Sequence, residues 1–179
     1  VLEIDPTVNP PTAREIETYD LGMTRNKYSD AVLANNGKIY AIPSYRGMNY
    51  VLEIDPTVNP LTIREIGDDL EIGNNIGSFI YKYRKAVLAN NGKIYAIPYY
   101  KNKVLEIDPN VEPPTAKEIG DDLGTTRAKY LDAVLANNGK IYAMPYNMNR
   151  VLEIDPTVIN PTVKEIGNDL GPMLGKYRE

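Results

Sequence analysis

Residues 31–43 read Ala-Val-Leu-Ala-Asn-Asn-Gly-Lys-Ile-Tyr-Ala-Ile-Pro, and residues 51–56 read Val-Leu-Glu-Ile-Asp-Pro. In the first stretch two short apolar runs flank Asn36-Gly37. That dipeptide between strand-like runs predicts a β-hairpin with a type I′ turn, whose central residues need positive φ. In the second stretch Leu52 and Ile54 alternate with Glu53 and Asp55, the period-two pattern of a strand with one wet side. Asp55-Pro56 ends that strand, because proline donates nothing to a ladder and aspartate favours a turn. A proline-rich link, Pro56 to Pro60, then leads to a short run at Arg64-Glu65-Ile66. The unit is thus four short strands, A to D.

The same unit recurs along the chain. Val-Leu-Glu-Ile-Asp-Pro opens at Val1, Val51, Val104 and Val151, and the hairpin recurs at Ala31, Ala86 and Ala133. Fixed-period self-similarity marks a repeat architecture. Four antiparallel strands in roughly 40–50 residues predict β-propeller blades. A parallel solenoid is the competitor, and a tight hairpin in every coil would break its winding. The expected fold is all-β: half a blade (strands C–D) followed by three four-stranded antiparallel blades, an open arc rather than a closed ring. The 179 residues divide as 1–29 (half blade and link), 30–84, 85–131 and 132–179. The longest loop, Asp69 to Lys85, shows no convincing helical period.

Gly167 to Glu179 aligns with Gly120 to Asp132. The next element of the pattern would be an A–B pair equivalent to Ala133–Arg150. Without one, strand C of the first half blade has an open edge, which additional blades or another copy of the chain are expected to cover.

Composition narrows the function classes. The chain has no Cys and no His. Disulfides, thiolate metal sites, cysteine nucleophiles and imidazole chemistry are therefore absent from these residues. A net charge of −4 argues against a general nucleic-acid grip, which needs a basic face. No apolar run reaches the roughly 20 residues of a membrane-spanning helix. The absence of Cys and of N-glycosylation sequons leans towards an intracellular home. Aromatic content is lopsided, with 14 Tyr, one Phe and no Trp.

The phrase Leu88-Ala89-Asn90-Asn91-Gly92-Lys93-Ile94-Tyr95-Ala96-Ile97-Pro98-Tyr99, followed by Val104-Leu105-Glu106-Ile107-Asp108-Pro109, resembles propeller repeats of the broad kelch-like and YVTN-like kind. The resemblance covers every repeat. It implies four-stranded blades around a central channel with strand A innermost. It implies no particular function, because such folds host both binding scaffolds and enzymes.

Where the repeats differ points to a working face. The A–B tips are identical and the C–D links nearly so. The B–C loop is longer in the first hairpin, Ser44 to Tyr50, and the D–A loop is longest between Ile66 and Ala86. In an antiparallel blade the B–C and D–A loops emerge on one face, and insertions gathered on one face of a repeat protein often mark the binding side. The candidate contacts in the B–C loops are Tyr45, Arg46, Asn49 and Tyr50; Tyr99, Tyr100, Lys101 and Asn102; and Tyr146, Asn147, Asn149 and Arg150. Rigid rings beside amides and cations suit protein or glycan ligands. The D–A segments add Arg25, Lys27, Arg84, Arg127 and Lys129, expected near the channel mouth as a partial ring of cations or as surface ion pairs with Asp68, Asp69, Asp121, Asp122 and Asp169.

Other chemistry is not expected. The Asp pairs supply too few oxygens for calcium, so neither metal nor cofactor is expected. Glu53 and Asp55 recur in every unit, which marks them as architecture rather than a catalytic pair. The leading expectation is a non-enzymatic propeller scaffold that presents its variable loops to a protein or glycan, with no nucleic-acid or membrane partner. The alternatives are a fragment of a propeller enzyme whose catalytic residues lie outside these residues, and a purely structural or designed array.

Overall fold

A computed structural model describes residues 2–5, 7–15, 26–45, 47–70, 81–171 and 175. The strands are β1 (Leu2–Asp5), β2 (Thr12–Glu15), β3 (Tyr28–Leu33), β4 (Ile39–Pro43), β5 (Val51–Asp55), β6 (Thr62–Ile66), β7 (Tyr83–Leu88), β8 (Ile94–Pro98), β9 (Val104–Asp108), β10 (Thr115–Ile119), β11 (Tyr130–Leu135), β12 (Ile141–Pro145), β13 (Val151–Asp155) and β14 (Thr162–Ile166). They form the two-stranded sheet β1-β2 and three four-stranded antiparallel sheets, β3-β4-β5-β6, β7-β8-β9-β10 and β11-β12-β13-β14. These are the half blade and the three blades of a propeller-type array, and no sheet closes on itself. Blades meet through their first strands, β3 against β7 and β7 against β11. Strand A begins earlier than the sequence pattern suggests, at Tyr28, Tyr83 and Tyr130, with a register irregularity just after each.

The hairpin tips are not type I′. Gly37 N–H donates to the Ala34 carbonyl at 3.0 Å and Ala34 N–H to the Lys38 carbonyl at 2.9 Å. Only the glycine has positive φ, +78°. This is a turn through Asn35-Asn36 followed by a left-handed glycine, the three-residue hairpin loop with a bulge. The physical reason is the amide of Asn36. Its Oδ1 accepts from Lys38 N–H at 3.0 Å and its Nδ2 donates to the Tyr40 hydroxyl at 3.0 Å. The left-handed residue therefore falls to glycine, which has no Cβ to clash.

Each blade buries a carboxylate from strand C. Glu53 is 2% exposed and takes bonds from Tyr40 at 3.0 Å, Lys38 at 3.2 Å and Arg64 at 2.7 Å. Lys93 and Tyr95 repeat this on Glu106, and Lys140, Tyr142 and Lys164 repeat it on Glu153. Burial alone would raise the Glu53 and Glu153 pKa values, but these donors outweigh it and hold both carboxyls below the usual range. Two residues on, Asp155 accepts from Thr157 and pairs with Lys140, which lowers its pKa to about 2. A buried charge with several donors is held firmly, and breaking it by removing a partner costs far more than the intact pair contributes. The repetition of Glu53 and Asp55 is therefore structural.

Between blades the close approaches are glycine-dependent. A Cβ on Gly67 would lie 2.6 Å from the Ala116 carbonyl oxygen, and one on Gly120 would lie 2.7 Å from Val163 Cβ. Gly167, at φ +81°, meets nothing within 4 Å among the described residues.

Two outcomes are expected. Gly167→Ala loses only the left-handed preference, about 1 kcal/mol. Gly120→Ala adds a blade–blade clash and loses roughly 2–4 kcal/mol, read by urea unfolding. In acid, carboxylates with depressed folded pKa values contribute stability that is present above their unfolded values and lost as pH falls through the folded ones. Unfolding is expected between roughly pH 4 and 2, and Lys140→Met moves its midpoint upward in a circular-dichroism pH titration.

Candidate functional site on the variable face

The two faces of the array are built differently. On one, the A–B tips grip the next blade: Asn36 Nδ2 donates to the Pro109 carbonyl and Asn91 Nδ2 to the Pro156 carbonyl, both at 3.1 Å. This face repeats from blade to blade. The other face carries the B–C loops and D–A segments, and there the repeats diverge.

The frame of the variable face is a set of lysine struts. Lys82 Nζ donates to the Met48 carbonyl at 2.6 Å and to Asn49 Oδ1 at 2.8 Å. Lys129 Nζ donates to the Thr126 carbonyl at 2.6 Å and to Asn102 Oδ1 at 3.2 Å. Each lysine precedes strand A of one blade and reaches into the B–C loop of the blade before it. Main-chain bonds follow the same route: Lys82 N–H to the Ser44 carbonyl and Lys129 N–H to the Tyr99 carbonyl, both at 2.8 Å. The asparagines also work through their backbones, because Leu70, Leu123 and Leu170 N–H groups donate to the carbonyls of Asn49, Asn102 and Asn149.

Lys82 and Lys129 are fully buried. The expectation of surface cations is therefore changed at these positions: both lysines are buried and bonded to amide oxygens. Burial lowers the Lys129 pKa to about 8, with Asp122 acting in the opposite sense.

On this frame sits an aromatic shelf. Tyr99 is its centre, with ring centroids 6.3 Å from Tyr81, 5.3 Å from Tyr100 and 6.2 Å from Tyr146. The Arg84 guanidinium lies 5.7 Å from the Tyr81 ring centroid. Asn26 approaches the Tyr81 hydroxyl at 3.5 Å. Burial first, then the Tyr146 and Tyr100 hydroxyls, raise the Tyr99 pKa, so the central ring of the shelf keeps its proton at pH 7. Tyr99 and Tyr146 occupy the first loop position after strand B in neighbouring blades, where the first blade has the buried Ser44. Tyr81 stands where the other blades have Asn26 and Ala128, and Arg84 where they have Ser29 and Leu131. The shelf is thus concentrated on the middle blade and is not stamped into every repeat.

The sequence candidates separate accordingly. Tyr99, Tyr100, Tyr146 and Arg84 come together. Asn49, Asn102 and Asn149 belong to the frame. Lys101 pairs with Glu118 at 3.1 Å. Asn147 donates to the Arg127 carbonyl at 2.8 Å, while Arg127 itself is exposed. Apart from the shelf, Arg150 and Asn147 line a polar cavity of about 300 Å³ with Thr126, Glu165 and Asp169. Tyr45, Tyr50 and Lys27 are half-buried and take no part in the shelf, and the Lys27 carbonyl accepts from Ser44 N–H. Arg25 and Arg46 lie outside the described residues. Sequence reading missed Tyr81, although its mismatch with Asn26 and Ala128 was the available signal. No cluster of three or more acidic side chains suited to a metal occurs among the described residues.

The geometry of repeated four-stranded sheets matches solved enzymes. The chain is similar in fold to streptogramin B lyase. One streptogramin B lyase structure superposes with a TM-score of 0.57 at 14% identity, covering 90% of this chain and 46% of that one. A catalytically inactive histidine-to-alanine variant of virginiamycin B lyase from Staphylococcus aureus, with quinupristin, gives 0.54 at 13% identity over 90% and 47%. A selenomethionine-substituted form of the same lyase gives 0.55 at 13% identity over 92% and 48%. The chain thus spans about half the length of these structures. No protein-family model and no curated protein matches the sequence. The kelch-like resemblance therefore stands at the level of the propeller. The expectation of a non-enzyme is corrected: the neighbours are enzymes, and a chain half their length leaves the missing His and Cys without weight.

Lys129 gives a pH prediction. Its folded pKa lies below its ordinary 10.5, so the unfolded chain binds this proton more tightly. Stability is expected to rise from about pH 8 to 9.5 by roughly 1–2 kcal/mol, before unfolded tyrosines ionise. Lys129→Met removes that slope in urea titrations at stepped pH.

Proposed function

We propose that the face built by the B–C loops and D–A segments binds a ring-bearing ligand, with Tyr81, Tyr99, Tyr100 and Tyr146 as the contact shelf and Arg84 as its polar handle. The observation that carries this reading is that the shelf breaks the repeat. Features copied into every blade hold the fold together, whereas Tyr81 and Arg84 occur once, in the middle blade. Clustered tyrosines give large rigid contact area at small entropic cost, and a guanidinium recognises carboxylate or carbonyl oxygen in a fixed fork. The class is a glycan or peptide with a flat or aromatic face.

A second reading takes its support from the fold neighbours. Here the chain is one part of a lyase-like propeller, and quinupristin, present with the inactive virginiamycin B lyase, is the compound to try. This chain has no histidine, so a histidine like the one replaced in that variant would come from outside these residues.

Both readings are tested together. With no Trp and 14 Tyr, tyrosine fluorescence reports binding, and the part of the signal lost in Tyr99→Ala belongs to the shelf. Glycan and peptide arrays and quinupristin are titrated against the chain, and bound quinupristin is followed for a change by mass spectrometry. Tyr99→Ala is expected to weaken binding at least tenfold, about 1.4 kcal/mol, while Tyr50→Ala changes it less than twofold. Equal affinities for the two variants would overturn the shelf. Conversion of quinupristin would favour the lyase reading, and binding without conversion the scaffold reading.

A further inference from the structure

The half blade β1-β2 carries the same strand C as the full blades, but with a different neighbourhood. Leu2-Glu3-Ile4-Asp5 is identical to Leu52–Asp55, Leu105–Asp108 and Leu152–Asp155. In each full blade this segment lies between two strands. Strand B pairs with it in one register: Ile39, Tyr40 and Ala41 face Ile54, Glu53 and Leu52, and the other two blades repeat this. Among the described residues β1 pairs only with β2, through Glu3↔Arg14 and Ile4↔Ala13.

The side chains differ in step. Ile107 and Ile154 are fully buried, whereas Ile4 is 62% exposed. Glu53, Glu106 and Glu153 each take a tyrosine hydroxyl and a lysine ammonium from strand B, and are 2%, 3% and 7% exposed. Glu3 pairs with Arg14 from the strand D side, and its side chain is 34% exposed. On the first full blade, Leu33 of strand A is 63% exposed, while its counterpart Leu88 packs into the core between blades. One object would account for all three differences: a strand pair that brings a backbone ladder to β1, a Lys and a Tyr to Glu3, and an apolar strand A to Leu33.

We infer that the edge of β1 turned away from β2 is a strand-acceptor site, and that its occupant is an A–B hairpin of this same repeat. The required sequence is fixed by the three occupied copies. Ile, Tyr and Ala must face Ile4, Glu3 and Leu2, with Lys two residues before the Tyr, as in Lys140-Ile141-Tyr142-Ala143. The recognition is strand addition: main-chain bonds supply affinity, and the Tyr–Lys pair on a buried carboxylate supplies register.

The test titrates the full chain with a synthetic peptide of the sequence of residues 130–150. Saturable one-to-one binding is expected, with at least tenfold slower exchange of the β1 amides that point away from β2. Glu3→Gln should weaken it about tenfold, because the half-buried Lys loses its counter-charge. As a second arm, the sequence of residues 133–150 is joined directly ahead of Val1, which reproduces the natural B–C connection and raises the local concentration. The melting temperature should rise by about 5 °C or more. Unchanged exchange and melting in the joined chain would overturn the inference. So would protection of β1 in the original chain that grows with its own concentration and not with peptide, which would assign the edge to a second copy.

Discussion

The structure depends on a buried carboxylate. In the middle of each full blade a glutamate from strand C is taken out of water and held by donors from the strands on either side. A tyrosine and a lysine come from strand B, and in the first and third blades an arginine or lysine comes from strand D. Apolar strands alone leave the register of a short sheet weakly specified, because a slip of two residues keeps the same face buried. A buried charge does not tolerate the slip, since its donors would no longer reach it. The ion cluster therefore sets the alignment of strands B, C and D, and apolar packing then supplies most of the stabilisation.

A second tier joins the blades. Glycines at Gly67 and Gly120 let one blade sit against the next, and the A–B tips bond to the following link on one face. On the other face the Lys82 and Lys129 struts tie the first two B–C loops to the blades that come after them. The loops of the variable face are therefore not independent attachments. A change in one B–C loop is felt at the start of strand A in the next blade, through a single ammonium group and the backbone beside it.

Much of the fold was legible because the signals were local. The hairpin, the alternation in Val51–Asp55 and the Asp-Pro stops each act within a few residues, and the repeat multiplied them. The turn type was misread because the Asn36 side chain, rather than the Asn-Gly dipeptide alone, decides where the left-handed residue falls. The site was less legible. Lys129 reads as a surface cation in sequence, since nothing local shows that the Asn102 side chain, 27 residues away, folds over it. Tyr81 was missed for a similar reason: its ring contacts come from Tyr99, in another loop. Aligning the repeats would have exposed it as an odd residue, but its neighbours are a property of the packed array.

The lysine struts also sort the variable face into fixed and free slots. Each B–C loop has an asparagine two places before strand C that is held at both backbone and, in two blades, side chain. The first two positions of the loop, and the residue just before each strut lysine, join the frame mostly through their backbones, and they hold Ser, Tyr, Asn or Ala in different blades. Such a lattice behaves like a type-case: the frame stays constant while a handful of sockets accept different letters. Because the bonds at those positions run mostly through the main chain, their side chains differ from blade to blade while the sheets and their register repeat.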